Sequence, residues 1–167
     1  MSFMFNNWPY LISLDITSID PKKAENLSSI FKGCNNLLNL DLTNFETSNV
    51  KKLSHLFEDC EKLNEINLPK FNTQIVQDFS YMFAGCKLIK SFDLKTFKLK
   101  YMNNMFDGCI NFDLLEISIK FDTSKVYSMF EMFKNFKNLK TLDISTFITI
   151  SVNNYSRMFS GCESLQI

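Results

Sequence analysis

The stretch "YMFAGCKLIKSFDL", residues 81–94, sets a cysteine behind a Met-Phe pair and a glycine, then runs into alternating apolar residues. Taken alone, Cys86 could be a reactive thiol, a metal ligand, half of a disulfide or a small apolar plug. The rest of the chain bears on that choice, because the phrase recurs. Aligned on the second residue of the pair, it falls at Phe5, Phe31, Phe57, Phe83, Phe106, Phe133 and Phe159, with spacings of 26, 26, 26, 23, 27 and 26. Self-similarity at such a period is the signature of a stacked repeat.

Three residues after each Phe stand Trp8, Cys34, Cys60, Cys86, Cys109, Phe136 and Cys162. All five cysteines therefore share one column, and that column also accepts Trp and Phe. A ligand or nucleophile could not become Trp or Phe in a sister repeat and keep its role, whereas a buried apolar position could. Free Cys behaves as a small hydrophobe. Disulfides between neighbouring coils are the competing reading, since strands stack about 4.8 Å apart. Parallel side chains then keep their Cβ atoms slightly beyond the usual bridging distance of about 3.5–4.5 Å, so reduced thiols are expected. No Cys-x-x-Cys or Cys/His spacing marks a zinc site.

Each repeat alternates two periodicities. The segment "LLNLDLTNF", residues 37–45, places Leu37, Leu40, Leu42 and Phe45 in an L-x-x-L-x-L-x-x-F pattern, with a short strand about its centre. Alternation puts Leu40 and Leu42 inside and Asn39, Asp41 and Thr43 outside. Next, Val50, Leu53, Leu56 and Phe57 fall at helical spacing, as do Val76, Phe79, Met82 and Phe83, which predicts a helix of roughly ten residues. Thr47, Thr73, Thr123 and Thr149 stand where caps would, Asp20-Pro21 takes that place in the first coil, and Gly33, Gly85, Gly108 and Gly161 stand where the helix would end.

The expectation is an α/β solenoid of about six coils, each a short strand plus a short helix. It forms one domain over residues 1–167, with coils near 5–31, 31–57, 57–83, 83–106, 106–133 and 133–159 and a partial coil at 159–167. One coil cannot repay the conformational entropy of its own ordering, so stacking is required. "CESLQI" stops inside a strand and neither end carries a polar cap, which reads as a fragment of a longer array. A short protein that self-associates end to end is the alternative.

The phrases "MFAGC", "LLNLDLTNFETSNV" and "FDTSKVYSMFEMF" resemble the BspA-type leucine-rich repeats, with their Met-Phe-x-x-Cys, Leu-Asp-Leu-Ser/Thr and Phe-x-Thr-Ser-x-Val signature. The resemblance runs from residue 4 to 167. Coil four, three residues short, coil five, one residue long, and Phe136 in place of Cys depart from the pattern. The resemblance implies a surface or secreted protein engaged in adhesion and host contact by binding other proteins. Yet "MSFMFNNWPY" shows no basic segment followed by an apolar one, so no export signal is read in this chain. A cytoplasmic interaction scaffold is the second reading, and the free cysteines suit it.

Composition narrows the classes further. The chain has 167 residues, 18 basic and 18 acidic side chains and one histidine. That balance gives no footprint for nucleic acid, and no apolar run nears the roughly 20 residues that span a bilayer. The regular polar surface predicted by the repeat is the outward strand face. It carries Asp15, Asp41, Asn67, Asp93, Glu116 and Asp143 in one column, flanked by Asn39, Glu65, Ser91 and Thr141. In strand-and-helix solenoids this face is concave and commonly binds the partner. A protein ligand with basic residues fits it, calcium less well, and a solvated or locally bonded acid row is the structural alternative. His55 is expected to point outward without a repeated acid partner. Asn26-Leu27-Ser28 and Asn154-Tyr155-Ser156 match a glycosylation sequon that also arises by chance. No residue set breaks the repeat as an active site would, so neither a catalytic site nor a cofactor or metal is expected.

Overall fold

A computed structural model of the chain describes residues 1–68, 72–89, 99–111 and 122–166. Two short strands, β1 (Asn39–Asp41) and β2 (Glu65–Asn67), pair in parallel, with Asn39 opposite Glu65, Leu40 opposite Ile66 and Asp41 opposite Asn67. On the other side of the coil, parallel bridges link Asn26, Lys52, Asp78, Tyr101, Ser128 and Asn154 in succession. Those residues keep the spacing of the sequence repeat, short fourth coil included. Successive repeats therefore stack in register.

The α/β expectation of a strand plus a helix in every coil is overturned: the described residues contain no helix. The segment expected to be helical is a chain of tight turns. Around Phe57, the N–H groups of Leu53, His55, Phe57 and Asp59 donate to the carbonyls of Asp78, Ser80, Met82 and Ala84 in the next coil, at 2.7–3.1 Å. The intervening N–H groups of Leu56, Glu58 and Cys60 close turns onto Leu53, His55 and Phe57, three residues back, at 3.1–3.3 Å. Half of the donors an α-helix would spend internally are thus spent between coils.

Spacing explains the outcome. The Phe rings stack with centroids 5.5–6.0 Å apart from Phe5 to Phe159, with planes within 17° of parallel. Packed α-helices need about 8–10 Å between axes, so one helix per coil cannot keep this rise. Two left-handed residues per coil also break a helix. The first column is Phe3, Ser29, His55, Tyr81, Asn104, Glu131 and Arg157, with φ between 53° and 62°. The second is Asn7, Gly33, Asp59, Gly85, Gly108, Asn135 and Gly161, with φ between 56° and 79°. Among the described residues no helix widens one side, so the physical cause of the concave strand face expected from the sequence is absent there as well.

The interior follows the predicted columns. Leu37, Leu40, Leu42, Phe45, Val50, Leu53, Leu56 and Phe57 are buried in one continuous core, whereas in the terminal coils Leu11, Leu14, Ile19, Leu142 and Phe147 are only partly buried and Ile144 is exposed. The Thr column is a rung between coils in place of a helix cap. Thr47 is buried and donates its hydroxyl to the Asn72 carbonyl at 3.0 Å, and Thr123 accepts from the Ile148 N–H at 2.6 Å. Asp20 accepts from the Lys22 N–H and Pro21 from the Ala24 N–H, forming a turn where a helix start was expected.

All five cysteines carry free thiols. Each donates to the carbonyl of the Phe one coil earlier: Cys34 to Phe5, Cys60 to Phe31, Cys86 to Phe57, Cys109 to Phe83 and Cys162 to Phe133, at 3.0–3.2 Å. Phe31, Phe57 and Phe83 also accept the N–H of the cysteine in their own coil. In five of the seven coils the column thus holds a small side chain with one weak donor, while Trp8 and the buried Phe136 fill it with a ring.

Candidate functional site

The outward strand face gathers Asp15, Asn39, Asp41 and Glu65, all exposed, from three successive coils. Asp15, Asn39 and Asp41 line a shallow depression of about 380 Å³ with Ser13 and Thr17. Asn67 is the register partner of Asp41 in the β1–β2 pair. Thr141 and Asp143 are exposed at the same columns in the sixth coil. Ser91, Asp93 and Glu116 lie outside the described residues, so the row is defined at its two ends.

Each described aspartate closes a turn on itself. Asp15 Oδ1 accepts the Thr17 N–H at 2.9 Å and its hydroxyl at 2.7 Å. Asp41 accepts the Thr43 N–H and Asp143 the Ser145 N–H, each at 2.8 Å. These bonds favour the charged form. The backbone N–H and then the hydroxyl of Thr17 lower the Asp15 carboxyl below its ordinary range. The hydroxyl and N–H of Thr43 do the same for Asp41, and those of Ser145 for Asp143. The row is therefore anionic, with part of each carboxylate committed to its own turn. No group of three or more His, Cys, Asp or Glu among the described residues could hold a metal ion.

A second polar ladder, not read from the sequence, follows the left-handed column at the turn edge. His55 Nδ1 lies 2.6 Å from Glu58 Oε2, Lys32 Nζ is 2.6 Å from the same oxygen, and the His55 ring stacks on Tyr81 at 4.8 Å. Burial opposes ionisation of Glu58, but the hydrogen bonds from His55 and Lys32 outweigh it and hold the carboxyl low. Farther along, Asn104 donates to Asp107 and Glu131, and Glu131 also accepts from Lys134 at 2.8 Å. The bond from Lys134, then that from Asn104, lowers the Glu131 carboxyl. A sequence signal existed: these charges sit two before and one after the aligned Phe, where His55, Glu58, Asp107 and Glu131 recur as polar residues among apolar neighbours. Their partners are one another, so the ladder ties coils together.

No curated protein matches the chain. Among solved structures, a leucine-rich repeat protein from Bacteroides ovatus aligns with 93% of this chain and 40% of its own length, at 18% identity and a TM-score of 0.47. The chain thus spans less than half of that protein. The family described as "Mycoplasma protein of unknown function, DUF285" matches residues 1–97 and again 87–167. Two overlapping matches cover the sequence from end to end, and the chain belongs to that family.

Proposed function

We propose that the chain is a non-catalytic scaffold that binds a protein partner through the outward strand face, as a recognition or adhesion module at a cell surface. The observation that carries this reading is the exposed row Asp15, Asn39, Asp41 and Glu65, presented on coils stacked in register and anionic at neutral pH. Carboxylates one coil apart repel weakly in water and more strongly when desolvated. A partner covering the row must therefore bring basic side chains. The BspA-type signature of the repeat supports the surface location. A second reading, an intracellular scaffold built on the same stack, is favoured by the five free thiols.

Antibody labelling of intact, unpermeabilised source cells separates the two. Labelling is expected, and staining that appears only after permeabilisation sinks the adhesin reading. Cross-linking on those cells then tests the face itself. Asp41→Lys with Glu65→Lys is expected to abolish the adduct formed by the parent chain, and an unchanged adduct removes this face from the proposal.

A further inference from the structure

We infer that the side of the stack carrying the bridge column holds a second binding site, for an acidic saccharide chain. The reading is independent of the strand-face proposal, since the site lies about half a coil away from β1. Here a groove of about 400 Å³ runs across three coils, lined by Lys52, Gln77, Asp78, Ser80, Tyr101 and Asn103. Stacking brings Lys51 and Lys52 onto the side that also carries Lys100, with Asp78 as the carboxylate in the lining. Glu25 engages Lys51 at 2.9 Å. The side chains of Lys52 and Gln77 and the hydroxyls of Ser80 and Tyr101 make no hydrogen bond or ion pair with any described residue.

The lining selects the ligand class. Lys100 Nζ stands 5.8 Å from the Tyr101 ring centroid, and Tyr127, half exposed, meets that ring edge-on at 5.8 Å. Tyr101 offers a ring for the C–H face of a sugar. Gln77 and Ser80 offer an amide and a hydroxyl that pair with ring hydroxyls, Asn103 offers its NH2 while its Oδ1 accepts the Ser128 hydroxyl, and Asp78 keeps one carboxylate oxygen beyond the bond from the Ser80 N–H. Lys52 and Lys100 supply cations for carboxylate or sulfate substituents. An acidic peptide would pair with the lysines through its carboxylates and with the amides through its backbone, but it brings no flat C–H face to lie on the Tyr101 ring. A compact metabolite would leave most of a groove across three coils empty.

The test is calorimetric titration of the full chain with a sulfated heparin-derived tetrasaccharide, neutral triacetylchitotriose and hexaglutamate. The sulfated sugar is expected to bind, more weakly as salt rises from about 0.1 M to about 1 M and the screening length shrinks from about 10 Å to about 3 Å. Lys52→Gln and Gln77→Ala, both at exposed side chains, are each expected to weaken it on the order of tenfold with an unchanged melting temperature. Asp41→Asn on the strand face is expected to leave it intact. Absence of binding, equal binding of hexaglutamate or of the neutral sugar, or wild-type affinity in both groove variants would each overturn the assignment.

Discussion

At the residue scale the cysteine column shows how one side chain answers two demands. It must fit beneath a ring stack with a rise of 5.5–6.0 Å, and it faces a carbonyl one coil away. Burial pushes the thiols of Cys60, Cys86 and Cys109 far up from their ordinary value. A thiol reagent is therefore expected to leave these three untouched in the native protein and to titrate all five after denaturation. Cys86→Ala is expected to lose about 1–2 kcal/mol in urea unfolding, from the deleted sulfur and its bond. Asp59 behaves in the opposite sense to Glu58. Although the residue is exposed, partial desolvation of its carboxyl, then the charge of Glu58, raises it above the ordinary value of 3.8. A group that holds its proton more tightly when folded costs stability once ionised: the cost is absent below the ordinary value and sets in as pH rises through the folded one. Asp59→Asn is thus expected to raise the urea midpoint at neutral pH and to leave it unchanged in strong acid. Asn already stands in this column, left-handed, at Asn7 and Asn135.

At the scale of the element, the second left-handed column obeys a rule across coils. Where one coil carries Asn or Asp, the next carries Gly: Asn7 before Gly33, Asp59 before Gly85, Asn135 before Gly161. A Cβ at Gly85 would collide with Asp59 Oδ1, whereas at Gly108 its nearest neighbours are Gly85 backbone atoms 3.9 Å away. Both glycines are left-handed, so alanine at either costs about 1–2 kcal/mol of backbone strain. Gly85→Ala is expected to cost about 1 kcal/mol more than Gly108→Ala by chemical denaturation, the low end for overpacking because the exposed Asp59 carboxylate can turn aside. Adding Asp59→Gly is expected to remove that excess, as coupled neighbours in a double-mutant cycle do. Equal losses at the two glycines would count against the collision. The rule was partly legible. The glycines read from the sequence as chain reversals, whereas Asn7, Asp59 and Asn135, which also tolerate this conformation, carry no such mark in the sequence alone. The apolar spacing misled for a related reason. Thr47, Val50, Leu53, Leu56, Cys60 and Leu63 recur close to every third residue, as turns closed three residues back require, and a short window does not separate that period from 3.6.

At the scale of the molecule, stability is shared by neighbours, since each coil touches only those beside it. Phe83 is flanked by Phe57 and Phe106, while Phe5 is flanked by Phe31 on one side and is only half-buried. Phe83→Ala is expected to cost about 3–5 kcal/mol and Phe5→Ala clearly less, read from urea midpoints. Equal losses would mean that the ring stack does not govern cohesion. The sequence by itself determined the repeat, its phase, the buried columns, the apolar character of the cysteine position and the exposure of Asn39, Asp41 and Glu65. Those properties follow from side-chain polarity along the chain. Only the tertiary structure decided that turns replace helices, because the rise between coils is shared by every coil and no single coil encodes it. Only the stack, too, brought Lys52, Gln77 and Tyr101 to one groove and His55 onto Tyr81, because these pairs stand a full coil apart and meet through the register alone.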